Sequence, residues 1–498
     1  MPVASALPLA DQAFGPTPVN RPGVPVRLIL VLLTIAGAWL RLSHLGAKSL
    51  WLDEGATVAL ARASWQHFAW IWWHGEANLQ TIYFLLMRGW IHFGSSEAWI
   101  RSLSALFGIA SIPLMYVVAR KFTGLTWSLA AAALLAFNPT HIFYSQEARS
   151  YTLAILLVLL STYFFVLAVE DGRMRDWALW TAISAAGFYS HDFVALVLLA
   201  QAASLLLKSP PVRWGRAILC GLIIFAAALP GLTYVFRASP ENLHFIWMPR
   251  PSVKEFWHLA MFLGSGGIKI ALWMVLWGAG LATIIRAHRV GATKEAWRGA
   301  LLLLWAVLPA VLIALLSLRH PMFLQRYMIF SLPATVLLAA IGASILPKWR
   351  IGILLVIVLC AANIRSVVKE YHKPREDWRG ATAAVLSSAA PGDAVVFFPF
   401  YTRIMLDYYS GQHADNNTPP LHVFAPAYYD GGEDVTNLLQ ALDKDPRHFR
   451  HVWILMADHG TRMEIFDFGA ATQTKLQSIY GAPAVQKFDD IDVLEYGK

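Results

Sequence analysis

About eleven apolar stretches divide this chain of 498 residues. They limit the possible folds strongly, because roughly 20 apolar residues in a helix cross the hydrocarbon core of a bilayer. Only 14% of the residues are charged, against roughly 25% in an average soluble domain. We therefore predict a polytopic α-helical membrane protein with about 11 spans. The stretches lie near residues 26–42, 100–119, 126–145, 151–169, 176–190, 192–207, 217–236, 259–285, 299–317, 327–346 and 350–367.

Basic residues follow every second apolar stretch. Such clusters mark the cytoplasmic side, which places residues 1–25 inside as a cytoplasmic tail and the C-terminus outside. Because the formal net charge of +9 comes largely from these clusters, the lipid bilayer is the expected partner and nucleic acid is not. The clusters are Arg120-Lys121, Arg173 with Arg175, residues 208–216, residues 286–298, and Lys348 with Arg350.

A long first outer loop, residues 43–99, lies between the first two spans. One set of its aromatic and apolar residues has the spacing of a single helix face, which predicts an interfacial helix. Residues 81–93 are apolar but too few for a normal span. As a span they would also put the Arg120-Lys121 cluster on the wrong side, so we expect a re-entrant or interfacial helix. The helix-face set is Trp65, Phe68, Ala69, Trp72 and Trp73.

The character of the chain changes near residue 369, where a polar linker begins. A helix-like segment, a Pro391-Gly392-Asp393 turn and a strand-like segment at residues 394–398 follow. We predict a transmembrane domain over 26–368 and an extracytoplasmic α/β domain over 369–498. The two cysteines, Cys220 and Cys360, lie in apolar segments, so no disulfide or metal framework is expected.

Two adjacent carboxylates, Asp53 and Glu54, directly follow the first apolar stretch. Charged groups at a membrane boundary are unfavourable unless they have a task, so this pair is a candidate for chemistry. An interfacial acidic pair that only ends a helix is the alternative interpretation.

A second polar group interrupts two apolar segments at residues 144–151. It combines Gln146, Glu147, Arg149 and Tyr151. Arginine can bind phosphate through two parallel hydrogen bonds, and a carboxylate can deprotonate a hydroxyl. A solvated turn with internal ion pairs is the alternative.

Two further outer turns carry polar residues. His191 and Asp192 could handle a proton or form a structural hydrogen-bonded turn. Arg326, followed by Tyr327, could bind a lipid phosphate or extend its charged end to the surface.

Three motifs resemble the GT-C glycosyltransferases, above all the branch of protein O-mannosyltransferases and lipid A aminoarabinose transferases. They are residues 49–55 (SLWLDEG), 97–108 (EAWIRSLSALFG) and 138–151 (NPTHIFYSQEARSY). Weaker matches occur at residues 189–193, 325–327, 376–379 and 391–393.

The resemblance implies an enzyme that moves a sugar from a polyprenyl-phosphate carrier to a protein, lipid or glycan acceptor. The reaction would occur on the outer side of a bacterial inner or plasma membrane. Asp53 would be the general base, and Glu54 would bind the acceptor or position Asp53. The donor phosphate would contact Arg149, Arg326 or Arg101. The expected substrate-binding residues are Gln146, Glu147, Tyr151, His191, Asp192, Tyr327, Asn78 and Tyr83.

The chain departs from the family in the first loop, where many relatives carry His-Pro-Pro or Lys-Pro-Pro. Here residues 77–83 read ANLQTIY, which indicates an unusual substrate. Relatives in this branch need no metal, so no cofactor is expected, although two carboxylate regions could coordinate a divalent cation as in the oligosaccharyltransferase branch.

Two other functions use similar features. A transporter or flippase of lipid-linked sugars predicts repeated halves and ionisable groups near mid-membrane. The sequence has no visible internal repeat, and its polar groups lie at the ends of the apolar segments. A polymer ligase would use the same carrier lipid and stays open as an alternative.

Overall fold

The computed structural model describes residues 23–74, 80–207, 212–237, 248–319, 321–346, 348–412, 420–424, 435–457 and 463–497. Within these ranges, helices dominate the chain as far as residue 388, and all strands come after it. The first ten helices are α1 Val24–Leu42, α2 Leu52–Arg62, α3 Trp65–His74, α4 Thr81–Trp90, α5 Glu97–Ala119, α6 Leu125–Ala136, α7 Pro139–Ser145, α8 Tyr151–Asp171, α9 Met174–Ser190 and α10 Val194–Leu205.

The remaining elements complete the helical part and form the C-terminal sheet. They are α11 Trp214–Arg237, α12 Val253–Leu263, α13 Lys269–Arg289, α14 Thr293–Leu316, a 3-10 helix Gln325–Ser331, α15 Leu332–Ser344, α16 Trp349–Tyr371, α17 Trp378–Ser388, β1 Ala394–Phe398, a 3-10 turn Phe400–Thr402, α18 Arg403–Gln412, β2 His422–Phe424, α19 Val435–Lys444, β3 His451–Ala457, α20 Met463–Tyr480, β4 Ala484–Phe488 and β5 Ile491–Gly497.

The predicted fold class, a polytopic helical membrane protein with a C-terminal α/β part, is confirmed. In the described residues, eight segments are long and apolar enough to cross a membrane. They are α1, α5, α8, residues Trp214–Leu232 of α11, α13, α14, the segment Gln325–Ser344, and α16.

The predicted number of spans is not confirmed, because several apolar stretches contain breaks. The stretch 126–145 divides into α6 and α7, where Asn138 caps the second helix and Pro139 begins it. The stretch 192–207 contains only the 12 residues of α10. The stretch 259–285 is interrupted between α12 and α13, where Gly266 and Gly267 both have positive φ.

The chain divides into two compact units. The first comprises Met1–Ser43, His74–Tyr83 and Arg101–Tyr371. The segment Gln325–Ser344 is almost enclosed within it, whereas α1 exposes most of its surface. Buried indoles around that segment donate hydrogen bonds to main-chain oxygens, as Trp305 Nε1 does to Phe330 O at 2.7 Å. Such bonds satisfy polar groups that lipid could not.

A buried polar network also joins α8, α9 and α10 inside this unit. Trp180 Nε1 donates to Gln201 Oε1 at 2.8 Å, and Gln201 Nε2 donates to Thr162 Oγ1 at 3.2 Å. Ser161 and Ser184 hydroxyls lie 2.9 Å apart beside them. Hydrogen bonds between polar side chains are a common link between helices in membranes.

The second unit comprises His44–Trp73, Phe84–Ile100 and His372–Lys498. Its five-stranded sheet has the order β2-β1-β3-β5-β4. The first strand runs parallel to β2 and β3, whereas β5 is antiparallel to β3 and β4. Two segments of the first outer loop therefore group with the C-terminal residues, which the sequence did not predict. The domain boundary at residue 369 stays a prediction.

Helix α2 packs against α18 within this second unit. Gly55 makes the close approach possible, because a Cβ at that position would lie 2.7 Å from Met405 Sδ. The preceding chain is also held, since Leu50 N donates to Tyr409 Oη at 2.7 Å and Ser49 Oγ donates to Glu376 O. The C-terminal residues thus fix the segment that begins α2.

The family-like motif at residues 376–379 has structural contacts in the same unit. Arg379 Nε donates to Glu97 Oε1 at 2.9 Å, and Nη2 donates to Gly46 O at 3.1 Å. Burial lowers the pKa of Arg379, but the Glu97 carboxylate together with Tyr409 outweighs this and leaves the pKa above its ordinary value. Asp377 caps α17 by accepting from Gly380 N at 3.0 Å.

The aromatic residues of the first loop form the expected helix, α3. Three of its indoles are exposed in the second unit, those of Trp65, Trp70 and Trp73. The apolar segment after it forms α4, which at ten residues is too short to cross a bilayer. The interfacial placement of both helices stays a prediction.

Candidate functional site

The predicted catalytic carboxylates lie in the first turn of α2, in the second unit. A helix N-terminus favours negative charge there. The Glu54 side chain is fully buried, and its Oε2 accepts a hydrogen bond from Trp51 N at 3.3 Å, as in a capping box. Asp53 is partly exposed. Glu54 therefore has a clear structural task, and Asp53 is the more accessible carboxylate of the pair.

The turn between α7 and α8 places Arg149 and Glu147 inside the first unit. Only 7% of Arg149 and 2% of Glu147 is exposed. The turn is tight, since Arg149 N donates to Glu147 O at 2.7 Å. A guanidinium can bind a phosphate through two parallel hydrogen bonds, so this turn is the candidate site for an anion.

Ser104, which the sequence did not single out, connects two predicted site residues, Arg149 and Tyr83. Ser104 Oγ donates to Arg149 O at 2.9 Å, and it lies 2.6 Å from Tyr83 Oη. Arg101 is buried three residues earlier on α5, so it lies near the same helix face. Ser104 belongs to the family-like motif at residues 97–108, which was the available sequence signal for it.

Four aromatic rings form a continuous row in the first unit, here called the tyrosine–histidine row: Tyr144, Tyr151, His191 and Tyr327. Successive ring centroids lie 4.6, 5.5 and 6.1 Å apart. The row brings together turns that are distant in sequence.

Charged groups lie beside the far end of this row. Asp192 Oδ1 is 2.9 Å from His191 Nδ1. The Arg326 guanidinium lies 5.7 Å from the centre of the Tyr327 ring. The predicted proton-handling pair and the predicted second phosphate ligand therefore adjoin the same row.

Gln146 makes its contacts elsewhere in the first unit. Its Nε2 donates to Ser43 O at 2.7 Å and also contacts the carbonyl oxygens of Leu40 and Arg41. These bonds satisfy carbonyls at the end of α1, where no intrahelical partner exists. A substrate role for Gln146 stays a prediction, and its amide already serves as a C-terminal cap.

Arg41 is a buried cation that sequence reasoning missed. Its guanidinium donates to Gly37 O and Ala136 O, both at 2.8 Å, and lies 2.8 Å from His141 Nδ1. It thereby satisfies the carboxyl end of α6. A charged residue inside the first apolar stretch was the sequence signal for this role.

One predicted site residue, Asn78, lies outside the described residues, as do residues 77–79 of the first-loop departure. Among the residues that are described, no group of three or more His, Cys, Asp or Glu side chains could hold a metal ion.

A family model described as dolichyl-phosphate-mannose-protein mannosyltransferase matches residues 82–234. No curated protein matches the chain in sequence. The fold is similar to ArnT from Cupriavidus metallidurans in the apo state, with TM-score 0.62 and 14% identity over 94% of this chain and 97% of that chain. The same protein bound to undecaprenyl phosphate gives TM-score 0.60 and 12% identity, with the same coverage.

The chain thus has the fold of ArnT, and about a third of it matches a mannosyltransferase family model. An oligosaccharyltransferase from Archaeoglobus fulgidus also matches, at 11% identity over 95% of this chain and 74% of that chain, but a TM-score of 0.45 supports no further conclusion. The residues that match the family model include Arg149, Arg101 and three rings of the row. Asp53 and Tyr327 lie outside it.

Proposed function

We propose that this protein is a membrane glycosyltransferase of the GT-C class, which transfers a sugar from a polyprenyl-phosphate carrier to a protein, lipid or glycan acceptor. The transfer takes place on the extracytoplasmic side of a bacterial inner or plasma membrane. The observation that carries the proposal is the buried Arg149 in its family-like turn. The similar ArnT fold is known with undecaprenyl phosphate bound, which supports a carrier of the same chemical class.

Arg149 is the proposed ligand of the donor phosphate. A planar guanidinium can donate two parallel hydrogen bonds to one phosphate group, which a lysine ammonium cannot do. Arg101 and Arg326 are further candidates. The first is buried near Ser104 on α5, and the second adjoins Tyr327.

Asp53 is the proposed general base. It accepts the proton of the acceptor hydroxyl while the hydroxyl oxygen forms a bond to the anomeric carbon of the sugar. The bond between that carbon and the phosphate oxygen breaks, and the polyprenyl phosphate leaves with the electron pair. Arg149 stabilises the negative charge that develops on the leaving phosphate. No step requires a metal or another reactant.

The remaining predicted site residues are assigned to the substrates. We assign Tyr151, His191 and Tyr327 to the sugar or acceptor, because aromatic faces suit the apolar faces of sugar rings. The carboxylates of Glu147 and Asp192 accept hydrogen bonds from hydroxyl groups of the substrates. Tyr83 acts with Ser104 to hold the Arg149 turn.

Binding of undecaprenyl phosphate to the purified protein tests the donor assignment. Arg149→Lys should weaken binding about tenfold or more, since the bidentate contact is lost while the charge remains. Arg175→Lys is the matched control, because that side chain is 77% exposed, and its affinity should not change. Unchanged affinity in Arg149→Lys would move the role to Arg326 or Arg101. No binding by the unmodified protein would contradict the carrier itself.

The outward orientation can be tested separately by cysteine labelling in intact cells. Ser387 is exposed in α17, so Ser387→Cys should react with a membrane-impermeant maleimide added outside. Arg175→Cys should react only after the membrane is opened. The native Cys220 and Cys360 are buried and give little background. The orientation would be contradicted if Arg175→Cys reacted in intact cells and Ser387→Cys reacted only after the membrane was opened.

A further inference from the structure

Two arginines converge on one carbonyl oxygen at the end of α8. Arg213 Nη1 donates to Gly172 O at 2.7 Å, and Arg216 Nη1 donates to the same oxygen. Gly172 has φ of 69°, and a Cβ at this position would collide with the Arg213 guanidinium. The left-handed glycine therefore allows both guanidiniums to gather at one point.

Two other basic residues near the end of α8 pair with a carboxylate of that helix. Glu170 accepts from Arg298 Nε at 2.6 Å and Nη2 at 2.8 Å, and Lys294 Nζ lies 3.2 Å from its carboxylate. By contrast, within the described parts of the chain no carboxylate forms an ion pair with Arg213 or Arg216. Two like charges on one acceptor repel each other, so an external anion between them would be stabilising.

The location of the pair indicates where such an anion comes from. Arg213 is exposed and directly precedes α11, whose membrane-length segment Trp214–Leu232 is only 28% buried within the protein. The remaining surface of that helix is apolar and suited to lipid, with Ile218, Leu219 and Leu222 exposed. Trp214 is also exposed at the first turn, and tryptophan is typical of the headgroup level of a membrane.

We propose that Arg213 and Arg216 form a binding site for the headgroup phosphate of an anionic phospholipid. The acyl chains of that lipid lie along the exposed face of α11. On the predicted topology the site faces the cytoplasmic leaflet, where anionic headgroups attract basic residues. The site is separate from sugar transfer and does not depend on the proposed donor or base.

Lipid titration of the purified protein tests the site. Native mass spectrometry of the detergent-solubilised protein should show that phosphatidylglycerol is retained at least about tenfold more strongly than phosphatidylcholine. Arg213→Gln combined with Arg216→Gln should abolish that preference. Arg175→Gln should keep the preference for phosphatidylglycerol. Arg175 lies on the same predicted cytoplasmic side, but its side chain is exposed and is not part of the pair.

Several outcomes would overturn the proposal. Equal retention of the two lipids by the unmodified protein would contradict a headgroup site. If inorganic phosphate without lipid raised the midpoint of thermal unfolding as much as phosphatidylglycerol did, the pair would be a simple anion site. Should the double variant fail to fold, Arg213→Gln alone is available, since Arg213 is exposed. If folded Arg213→Gln kept the full preference for phosphatidylglycerol, the Arg213–Arg216 pair would be excluded as the lipid site.

Discussion

The start of α2 and the turn between α7 and α8 hold their charged residues in different ways. At the start of α2 the two carboxylates are neighbours in sequence, and the helix N-terminus with the Trp51 amide stabilises them locally. In the turn, Arg149 is buried, and its main chain is held by Ser104 of a distant helix. A short sequence motif can specify the first arrangement, whereas the second depends on helix packing.

The largest expected effect concerns Asp53. Asp53→Asn keeps the shape of the side chain but cannot accept a proton, so sugar transfer should fall about 10²–10⁴-fold. Donor binding should persist, because the phosphate ligands are unchanged. Transfer is measured with a polyprenyl-phosphate sugar, and donor affinity is measured on the same preparation.

Glu54→Gln provides the comparison for this result. Its amide oxygen can still accept from Trp51 N, so transfer should fall less than in Asp53→Asn. If Glu54→Gln abolished transfer and Asp53→Asn kept near-normal turnover, the base would be Glu54. Activity in both variants would contradict a base at this helix start.

The second effect concerns stability. Glu54→Ala leaves the half-buried Trp51 amide without this acceptor and removes a favourable charge from the helix N-terminus. The free energy of unfolding should fall by about 1–3 kcal/mol, seen as a lower unfolding midpoint in detergent. Asp53→Asn should shift the midpoint much less. Equal loss of stability in both variants would show that the two carboxylates share one structural role.

A smaller effect on stability is expected at the turn between α7 and α8. Tyr83→Phe removes one buried hydrogen bond to Ser104 and should lower stability by about 0.5–1.5 kcal/mol. Ser104→Ala also removes the bond to Arg149 O, so its donor affinity should fall more than that of Tyr83→Phe. Unfolding midpoints and undecaprenyl phosphate binding measure the two effects. Equal donor affinity in both variants would mean that Ser104 does not hold the turn.

The smallest effect is expected from the Arg379–Glu97 pair in the second unit. Its Arg379 side chain is 41% exposed, and a partly exposed ion pair contributes about 0–1 kcal/mol. Arg379→Gln should therefore change the unfolding midpoint only slightly and leave donor binding unchanged. Glu97→Gln is the matched variant from the other side of the pair. A large loss of stability in Arg379→Gln but not in Glu97→Gln would point to the contact of Arg379 with Gly46 O.

Local features of the sequence determined the membrane class and the aromatic helix α3. Hydrophobic length and helix-face spacing involve only residues that are near in sequence, so a linear sequence displays them. The number of spans was less predictable, because hydropathy does not show where an apolar stretch breaks at a cap or a left-handed glycine.

Only the tertiary structure decided which distant groups meet. Ser104 between Tyr83 and Arg149, the amide of Gln146 at the end of α1, and the grouping of the first outer loop with the C-terminal sheet depend on contacts across many residues. Such contacts follow from how helices and strands pack, and buried polar atoms then select whichever partners the packing brings within hydrogen-bond distance. A single sequence does not display those partners.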